Sequence, residues 1–182
     1  MTQITLKNVR LAFPNLFEAK SVNGGEATFG ASFILPVDHP QIAEINAAID
    51  ATATEKWGAK APAIVKGLRT QDRVALHDGD TKAQYDGFEG NLFVSANSKT
   101  RPLLADRDKT ILAASDGVLY SGCYVYATVE LWAQDHSQYG KRINAQVKTV
   151  QFFRDGDAFS GGRPGTVDDL VDLEEGADSD LA

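Results

Sequence analysis

Three aromatic side chains alternate with small apolar side chains along one segment late in the chain. The apolar set must face a core, because successive side chains of a strand point to opposite faces. The other set then points outward, and it includes Tyr124, Tyr126 and Trp132. An exposed ring can stack on a nucleobase, and each such contact is worth about 1–3 kcal/mol. This strand face is therefore a candidate surface for an unpaired nucleic-acid strand.

A second alternating segment follows after a turn and adds positive charge. Its outward side chains include Arg142 and Lys148. Outward residues must oppose outward residues across a hairpin, so the favoured register places Trp132 opposite Arg142. The same register places Tyr126 opposite Lys148. Rings can stack on bases, and neighbouring cations can neutralise phosphates. The alternative is that the rings pack beneath residues 59–118 as part of the protein interior. The pattern favours neither interpretation.

Other residue patterns give little support for catalysis or for a metal site. The chain has no phosphate-binding glycine-lysine loop, no dinucleotide-binding glycine pattern and no nucleophile elbow. Four acidic residues match a calcium-loop spacing, but Lys82 and Ala83 replace an oxygen ligand and the glycine it needs. Those four residues are Asp78, Asp80, Asp86 and Glu89. We expect a buried, inert thiol at Cys123, and no cofactor, metal or enzymatic activity.

The charge of the chain is concentrated near its C-terminal end. The 182 residues carry 18 basic and 25 acidic side chains, a formal net charge of −7. Nine of the acidic side chains follow Arg154, but only one of the basic ones, Arg163. The body that remains has 17 basic and 16 acidic side chains and is nearly neutral. A negative total argues against a polyanionic partner, and this division removes that objection without establishing such a partner.

The first part of the body reads as two strands and a helix. Alternation predicts a strand over residues 4–13 with a bulge near Asn8, ended by Pro14. A second strand follows over residues 29–35. Asp38 is expected to cap a helix that presents three isoleucines on one face. Those isoleucines are Ile42, Ile45 and Ile49.

The rest of the body reads as a long irregular insertion, a short strand and the hairpin. The insertion, residues 59–90, is predicted to be a loop. About five strands and one helix favour a mainly β protein with an OB-fold-like, partly open five-stranded barrel, and a sandwich is the alternative. Residues 1–157 are predicted to form this domain. Residues 158–182 are predicted to be a flexible acidic tail, because they cannot bury enough apolar surface to fold. No segment has the length of a transmembrane helix, and no secretory signal is expected.

Four segments together resemble a family of single-stranded DNA-binding proteins from tailed phages and prophages. They start at Arg10, Phe93, Tyr120 and Val150, and read RLAFPNLFEAK, FVSANSKTRP, YSGCY and VQFFRDG. The resemblance implies an OB-fold, sequence-independent binding of single-stranded DNA and no catalysis. It also implies a role in phage replication or recombination in the cytoplasm of the infected bacterial host. Phe13 is nevertheless expected to lie in the core.

Matching the family motifs to this chain adds three cations to the candidate DNA-binding residues. Lys99 and Arg101 lie in the matching basic loop, and Arg10 begins the first motif. The acidic tail resembles those of such proteins, which implies that it competes with DNA or recruits replication or recombination proteins. It ends in Ala182 rather than in an aromatic residue. An interaction or inhibitor module whose acidic tail mimics DNA is the alternative function.

Overall fold

Seven strands of the described chain form one curled sheet. The structure is a computed structural model that describes residues 1–21, 24–159, 170, 171 and 173. Its strands, in chain order, are β1 (Thr2–Lys20), β2 (Thr28–Pro36), β3 (Leu76–Asp78), β4 (Asn91–Ser98), β5 (Leu103–Ala105), β6 (Tyr124–His136) and β7 (Gly140–Arg154). Two helices lie between β2 and β3, and these are α1 (Ile42–Trp57) and α2 (Ala61–Thr70).

The sheet closes into a five-stranded barrel. The strand order is β3-β4-β2-β1-β6-β7-β5, and an additional pairing joins β4 to β7. That pairing is parallel and consists of Asn97 with Gln146. The ring therefore contains β1, β2, β4, β6 and β7, while β3 and β5 are short additions at its edges. The predicted mainly β, OB-fold-like five-stranded barrel is confirmed, and its closure depends on a single residue pair.

Apolar side chains that point inward from the five barrel strands form the core. Burying such side chains supplies most of the free energy that drives folding. The helix α1 packs on β1 and β6 and buries Ile45 and Ile49 in the same cluster. The largest fully buried side chains of the barrel strands include Leu6, Leu11, Phe33, Leu131 and Ile143.

The helical region differs from its prediction at two points. The residue that precedes α1 is Gln41 rather than Asp38, and its side-chain amide donates a hydrogen bond to the Thr5 carbonyl at 2.8 Å. Residues 59–90 are not all loop, because they contain α2, whose Val65 and Leu68 are buried. Pro62 lies in the first turn of α2, where proline favours a helix, and packing against α1 offsets the cost of Gly67. No helix in the described part of the chain is long and apolar enough to cross a membrane.

The first strand is longer than predicted. A register shift after Leu6 and the positive φ of Asn8 confirm the predicted bulge. Pro14 does not end β1, which continues to Lys20 after a second register shift. Phe13 lies at that shift with a φ of 48°, and its side chain is 43% exposed, so the prediction of a core position is wrong.

The hairpin of β6 and β7 is confirmed, but its predicted register is wrong. Trp132 pairs with Asn144 rather than with Arg142, because the turn occupies residues 137–139 and His136 pairs with Gly140. Tyr126 pairs with Gln151 rather than with Lys148. A bulge adds one residue to β7 between the partners of Thr128 and Val129, and that extra residue is Lys148.

Candidate nucleic-acid interface

A groove opens beside the single point at which β4 and β7 pair. The segment that starts at Arg73 and leads into β3 contacts both strands, since it bonds to β7 and β3 pairs with β4. Arg73 holds it there, since its carbonyl accepts a hydrogen bond from the Ile143 N–H at 3.0 Å. The Arg73 Nε also donates to the Lys141 carbonyl at 2.9 Å. The groove has a volume of about 460 Å³, and we call it the β4–β7 groove. The side chains that line it include His77, Asn97, Lys99, Trp132, Arg142, Asn144 and Gln146.

The groove brings together three of the eight residues predicted to bind DNA. Lys99 follows β4, Trp132 lies on β6 and Arg142 lies on β7. The Lys99 Nζ is 3.2 Å from a carboxylate oxygen of Glu26, and both side chains are largely exposed. An exposed ion pair of this kind contributes little stability, so this ammonium can exchange its carboxylate for a phosphate at low cost.

Lys148 lies beside the loop that carries Lys99 and Arg101. That loop joins β4 to β5, and both strands pair with β7, at Gln146 and Thr149 respectively. Lys148 falls between these two pairing points, and it is exposed. The bulge therefore places an additional cation at the margin of the groove.

Arg101 has a structural role as well as a charge. Its guanidinium donates a hydrogen bond to the Phe17 carbonyl at 2.5 Å. It also lies 5.9 Å from the centroid of the Phe29 ring. These contacts fix the basic loop against the end of β1 and the start of β2. Arg101 thus orders the loop from which Lys99 extends.

Tyr124 and Arg10 lie at the other end of β6, outside the groove. The Tyr124 ring is 3.7 Å from the Arg154 guanidinium carbon and 5.5 Å from that of Arg10. The Arg10 guanidinium also donates hydrogen bonds to the carbonyls of Gly122, at 3.0 Å, and Asp157, at 2.6 Å. This cluster holds the segment after β7 against β1.

Tyr126 lies between the Tyr124 cluster and the groove on the outward face of the hairpin. Its ring centroid is 5.1 Å from that of Phe153, and the two planes are tilted by 52°. The Arg107 guanidinium is 5.4 Å from the Phe153 ring. The ring of Tyr126 is half-buried in the described structure. The eight predicted residues are thus divided between the groove, its margin and the far end of the hairpin.

The uncharged polar lining of the groove was not among the residues predicted to bind DNA. Asn144 and Gln146 belong to the outward set of β7, so their alternation was a usable signal. The Asn144 amide donates to Gln134 at 3.0 Å, and the Gln146 amide contacts the Ser98 hydroxyl at 3.4 Å. His77 gave no signal, because it lies in the segment predicted as irregular.

His77 forms one wall of the groove. Its Nδ1 is 2.7 Å from a carboxylate oxygen of Asp72. Its ring stacks on Phe93 with the centroids 5.0 Å apart and the planes 25° apart. A flat, oriented imidazole, an indole, amides and cations together provide stacking surfaces, hydrogen bonds and phosphate contacts.

The acidic residues of the calcium-like spacing take part in turns. An Asp78 carboxylate oxygen accepts the Asp80 N–H at 2.9 Å, and an Asp80 carboxylate oxygen accepts the Gly90 N–H at 2.8 Å. Among the described residues, no group of three or more His, Cys, Asp or Glu side chains could hold a metal ion.

Asp135 and Tyr120 are two of the titratable groups outside the groove whose pKa values are shifted. A hydrogen bond from the Trp57 indole, 3.0 Å long, lowers the pKa of Asp135, and nearby Lys141 lowers it further. Burial raises the pKa of Tyr120, and so does the hydrogen bond that its hydroxyl donates to Asp155 at 2.7 Å. Both interactions support the hairpin and the segment that follows it.

Comparison with known proteins gives concordant results. A sequence model of the family described as "Enterobacter phage Enc34, ssDNA-binding protein" matches residues 2–181. Protein p50 of Acyrthosiphon pisum secondary endosymbiont phage 1 is 45% identical over 183 residues, which is 98% of each chain. The single-stranded DNA-binding protein of bacteriophage Enc34, solved in complex with single-stranded DNA, is 26% identical. It superimposes with a TM-score of 0.70, covering 86% of this chain and 88% of its own.

A more distant structure shares the fold. The single-stranded DNA-binding protein gp2.5 of bacteriophage T7 superimposes with a TM-score of 0.58 at 11% identity. The aligned region covers 96% of this chain and 97% of that protein. The match of the family model to nearly the whole sequence, together with these relatives, places the chain in a phage family. This chain belongs to the Enterobacter phage Enc34 single-stranded DNA-binding protein family.

Proposed function

We propose that this protein binds single-stranded DNA in the β4–β7 groove, without sequence specificity and without catalysis. The observation that carries the proposal is the convergence of Lys99, Trp132 and Arg142, from three separate segments, on one groove. A related phage protein of the same fold was solved in complex with single-stranded DNA. OB-folds also bind oligonucleotides between the face of their second and third strands and the loops beside it. In this barrel those strands are β2 and β4, and β4 forms one wall of the groove.

In the proposed binding mode, an aromatic ring contacts a base and cations contact the phosphates. Trp132 stacks on a base, because every base presents a π-face whatever its identity. Lys99 and Arg142 neutralise the flanking phosphates, and Arg101 and Lys148 extend the positive margin. Stacking and charge neutralisation do not read base edges, so affinity should vary little with sequence. The amides of Asn144 and Gln146 are already engaged within the protein, and we assign them to shaping the groove.

The remaining predicted residues have a structural role whether or not they contact DNA. Arg10 and Tyr124 hold the segment after β7, and Tyr126 packs on Phe153. The outward face of the hairpin leads from the groove towards these residues. We propose that this face guides a longer strand, with Tyr126 as its stacking contact and Tyr124 as the ring that orients Arg10 and Arg154.

The predicted division into residues 1–157 and a tail, 158–182, remains a proposal. The described structure continues to Phe159, and most of the tail lies outside the described residues. We propose that the tail carboxylates compete with phosphates for the groove, because tethering keeps them at a high effective concentration. The same tail could present its acidic residues to a replication or recombination protein. We place this activity in the cytoplasm of an infected bacterium, during phage replication or recombination.

A binding assay with matched ring variants tests the proposal. Anisotropy of a labelled oligothymidine at low salt should rise on addition of the protein. Replacing Trp132 by Ala should weaken binding by about 1–3 kcal/mol, the cost of one lost stacking contact. Tyr139→Ala is the control, because that ring is 65% exposed at the hairpin turn and does not line the groove.

Two outcomes would contradict the proposal. Wild-type protein that fails to bind oligothymidine at low salt would favour the alternative module, whose acidic tail mimics DNA. Equal affinities of wild type and Trp132→Ala would remove the groove from the binding site, provided that both proteins have the same circular dichroism spectrum.

A further inference from the structure

A row of aromatic rings connects the β4–β7 groove to a second exposed surface. The row starts at His77 in the groove wall and passes to Phe93, whose centroid is 5.0 Å away. Phe93 contacts Phe88 at 5.0 Å, and Phe88 contacts Phe13 at 5.6 Å. Phe13 meets Tyr85 edge to face at 5.0 Å. The rings thus run from the groove across the outer face of β4 to the outer face of β1.

The row is exposed at its far end and buried in its middle, whereas the His77 side chain at its start is only 12% exposed. Phe88 and Phe93 are 1% and 3% exposed and pack with Ile34 of β2 on the outside of the barrel. Phe13 and Tyr85, by contrast, are 43% and 45% exposed. We call these two rings the Phe13–Tyr85 patch. Two large rings with this exposure, resting on a buried aromatic base, form a preorganised surface for another flat, apolar group.

The backbone at Phe13 turns its ring outward at an energetic cost. Its φ of 48° lies in the left-handed region, which bulky side chains rarely adopt. Since a cost of this kind persists only where surrounding structure enforces it, the conformation points to a use for the exposed ring. The bulge between Ala12 and Asn15 is the feature that enforces it here.

One lysine, Lys82, lies along the same path, in a segment that also carries the acidic residues Asp78, Asp80, Asp86 and Glu89. The Lys82 Nζ is 5.5 Å from the Phe93 centroid and 5.7 Å from that of Phe13, so it lies above the buried part of the row. Beyond Phe13, Lys20 lines a cavity of about 370 Å³ with both patch rings. Asp86 lines the same cavity and repels phosphate. We therefore expect the patch to stack on a base and Lys82 to contact the phosphate between that base and the groove.

We propose that a single strand of DNA leaving the groove past His77 crosses residues 79–90, which cover the outer face of β4 and β2, and stacks a base on the Phe13–Tyr85 patch. Lys82 contacts a phosphate on the way. The inference rests on the proposed function and adds a second stacking site to it. The successive ring spacings place this site several nucleotides from the groove, so only a strand long enough to reach it gains from it.

The length dependence of binding tests this inference. Affinities for a series of labelled oligothymidines are measured for wild type, Tyr85→Ala, Tyr85→Phe and Lys82→Gln. The shortest oligothymidines that bind should have unchanged affinity for Tyr85→Ala. Longer ones should lose about fivefold to 100-fold, as expected for one base-stacking contact. Tyr85→Phe keeps the ring and should bind like wild type. Lys82→Gln should lower the salt dependence for the long strands alone.

The outcomes separate this inference from the proposed function. If Tyr85→Ala and Lys82→Gln bind every length like wild type while Trp132→Ala weakens all lengths, the second site is wrong and the groove stands. The patch would then be left for a protein partner. If Tyr85→Ala weakens short and long strands equally, the patch is part of the primary site and the proposed path is wrong. If Trp132→Ala weakens no length, the groove itself fails.

Discussion

Removing two groove cations should halve the salt dependence of DNA binding. We count four cations at the groove, of which Lys99 and Arg142 line it and Arg101 and Lys148 border it. The Lys99→Gln, Arg142→Gln double variant removes both lining charges and retains polar side chains. Lys66→Gln is the control, because this lysine is exposed on α2 and does not line the groove.

The expected change in salt dependence follows from the release of counterions from DNA. Each neutralised phosphate of a single strand contributes about −0.7 to the slope of log K against log salt. Four contacts give a slope of about −2.8, which is a loss of about 50-fold in affinity between about 50 and 200 mM salt. Two contacts give about −1.4, and the loss over the same interval falls to about sevenfold.

The assay is a salt titration of oligothymidine binding, followed by anisotropy at several fixed salt concentrations. The double variant should bind more weakly than wild type at low salt, and the two curves should converge as salt rises. The control should keep the wild-type slope. A double variant with the wild-type slope would refute the assignment of these cations to phosphates. A control that loses as much slope as the double variant would show that the effect depends on net charge alone.

Three further predictions concern the tail, the segment after β7 and the alkaline limit of stability. Deleting residues 164–182 removes seven acidic side chains and brings the formal net charge from −7 to 0. It should tighten oligothymidine binding at low salt, and equal affinities would contradict competition by the tail. Arg10→Ala should lower the free energy of unfolding by about 0.5–1.5 kcal/mol, measured in urea, because the Gly122 and Asp157 carbonyls lose their donor. Burial of the Tyr120 hydroxyl, and next its hydrogen bond to Asp155, raise the pKa of Tyr120, so the neutral phenol stabilises the fold below pH 10 and this contribution is lost as pH rises through the raised pKa. Tyr120→Phe should therefore be less stable than wild type at neutral pH, and the difference should shrink under strongly alkaline conditions.

The sequence predicted well those features that depend on local alternation. The hairpin, its apolar inward face and the bulge at Asn8 all follow from the two-residue period of a strand. Trp132 and Arg142 were expected to meet, and they do line one groove. They meet because β4, β6 and β7 surround it, and not because they are cross-strand partners. The register failed because the turn is centred one residue later than the predicted pairing requires and because Lys148 forms a bulge, and the alternation specifies neither feature.

The parts that were missed depend on contacts between distant segments. The helix α2 contains Gly67 in its interior, and packing on α1 compensates for it. His77 joins the groove only because the segment that starts at Arg73 bridges β4 and β7. Phe13 was expected in the core because it continues an apolar alternation. A backbone φ of 48° turns its ring outward, and the alternation of apolar side chains in the sequence does not predict that angle.

The most direct test of the account is the fluorescence of Trp132 during DNA binding. The chain has two tryptophans, and the Trp57 indole is hydrogen-bonded to Asp135 outside the groove. The Trp57→Phe protein therefore reports from the groove alone. Titration with oligothymidine should quench its emission, and the quenching should saturate at the same DNA concentration as the anisotropy of the labelled strand. Full binding by anisotropy with no change in Trp132 emission would contradict the claim that DNA occupies the β4–β7 groove.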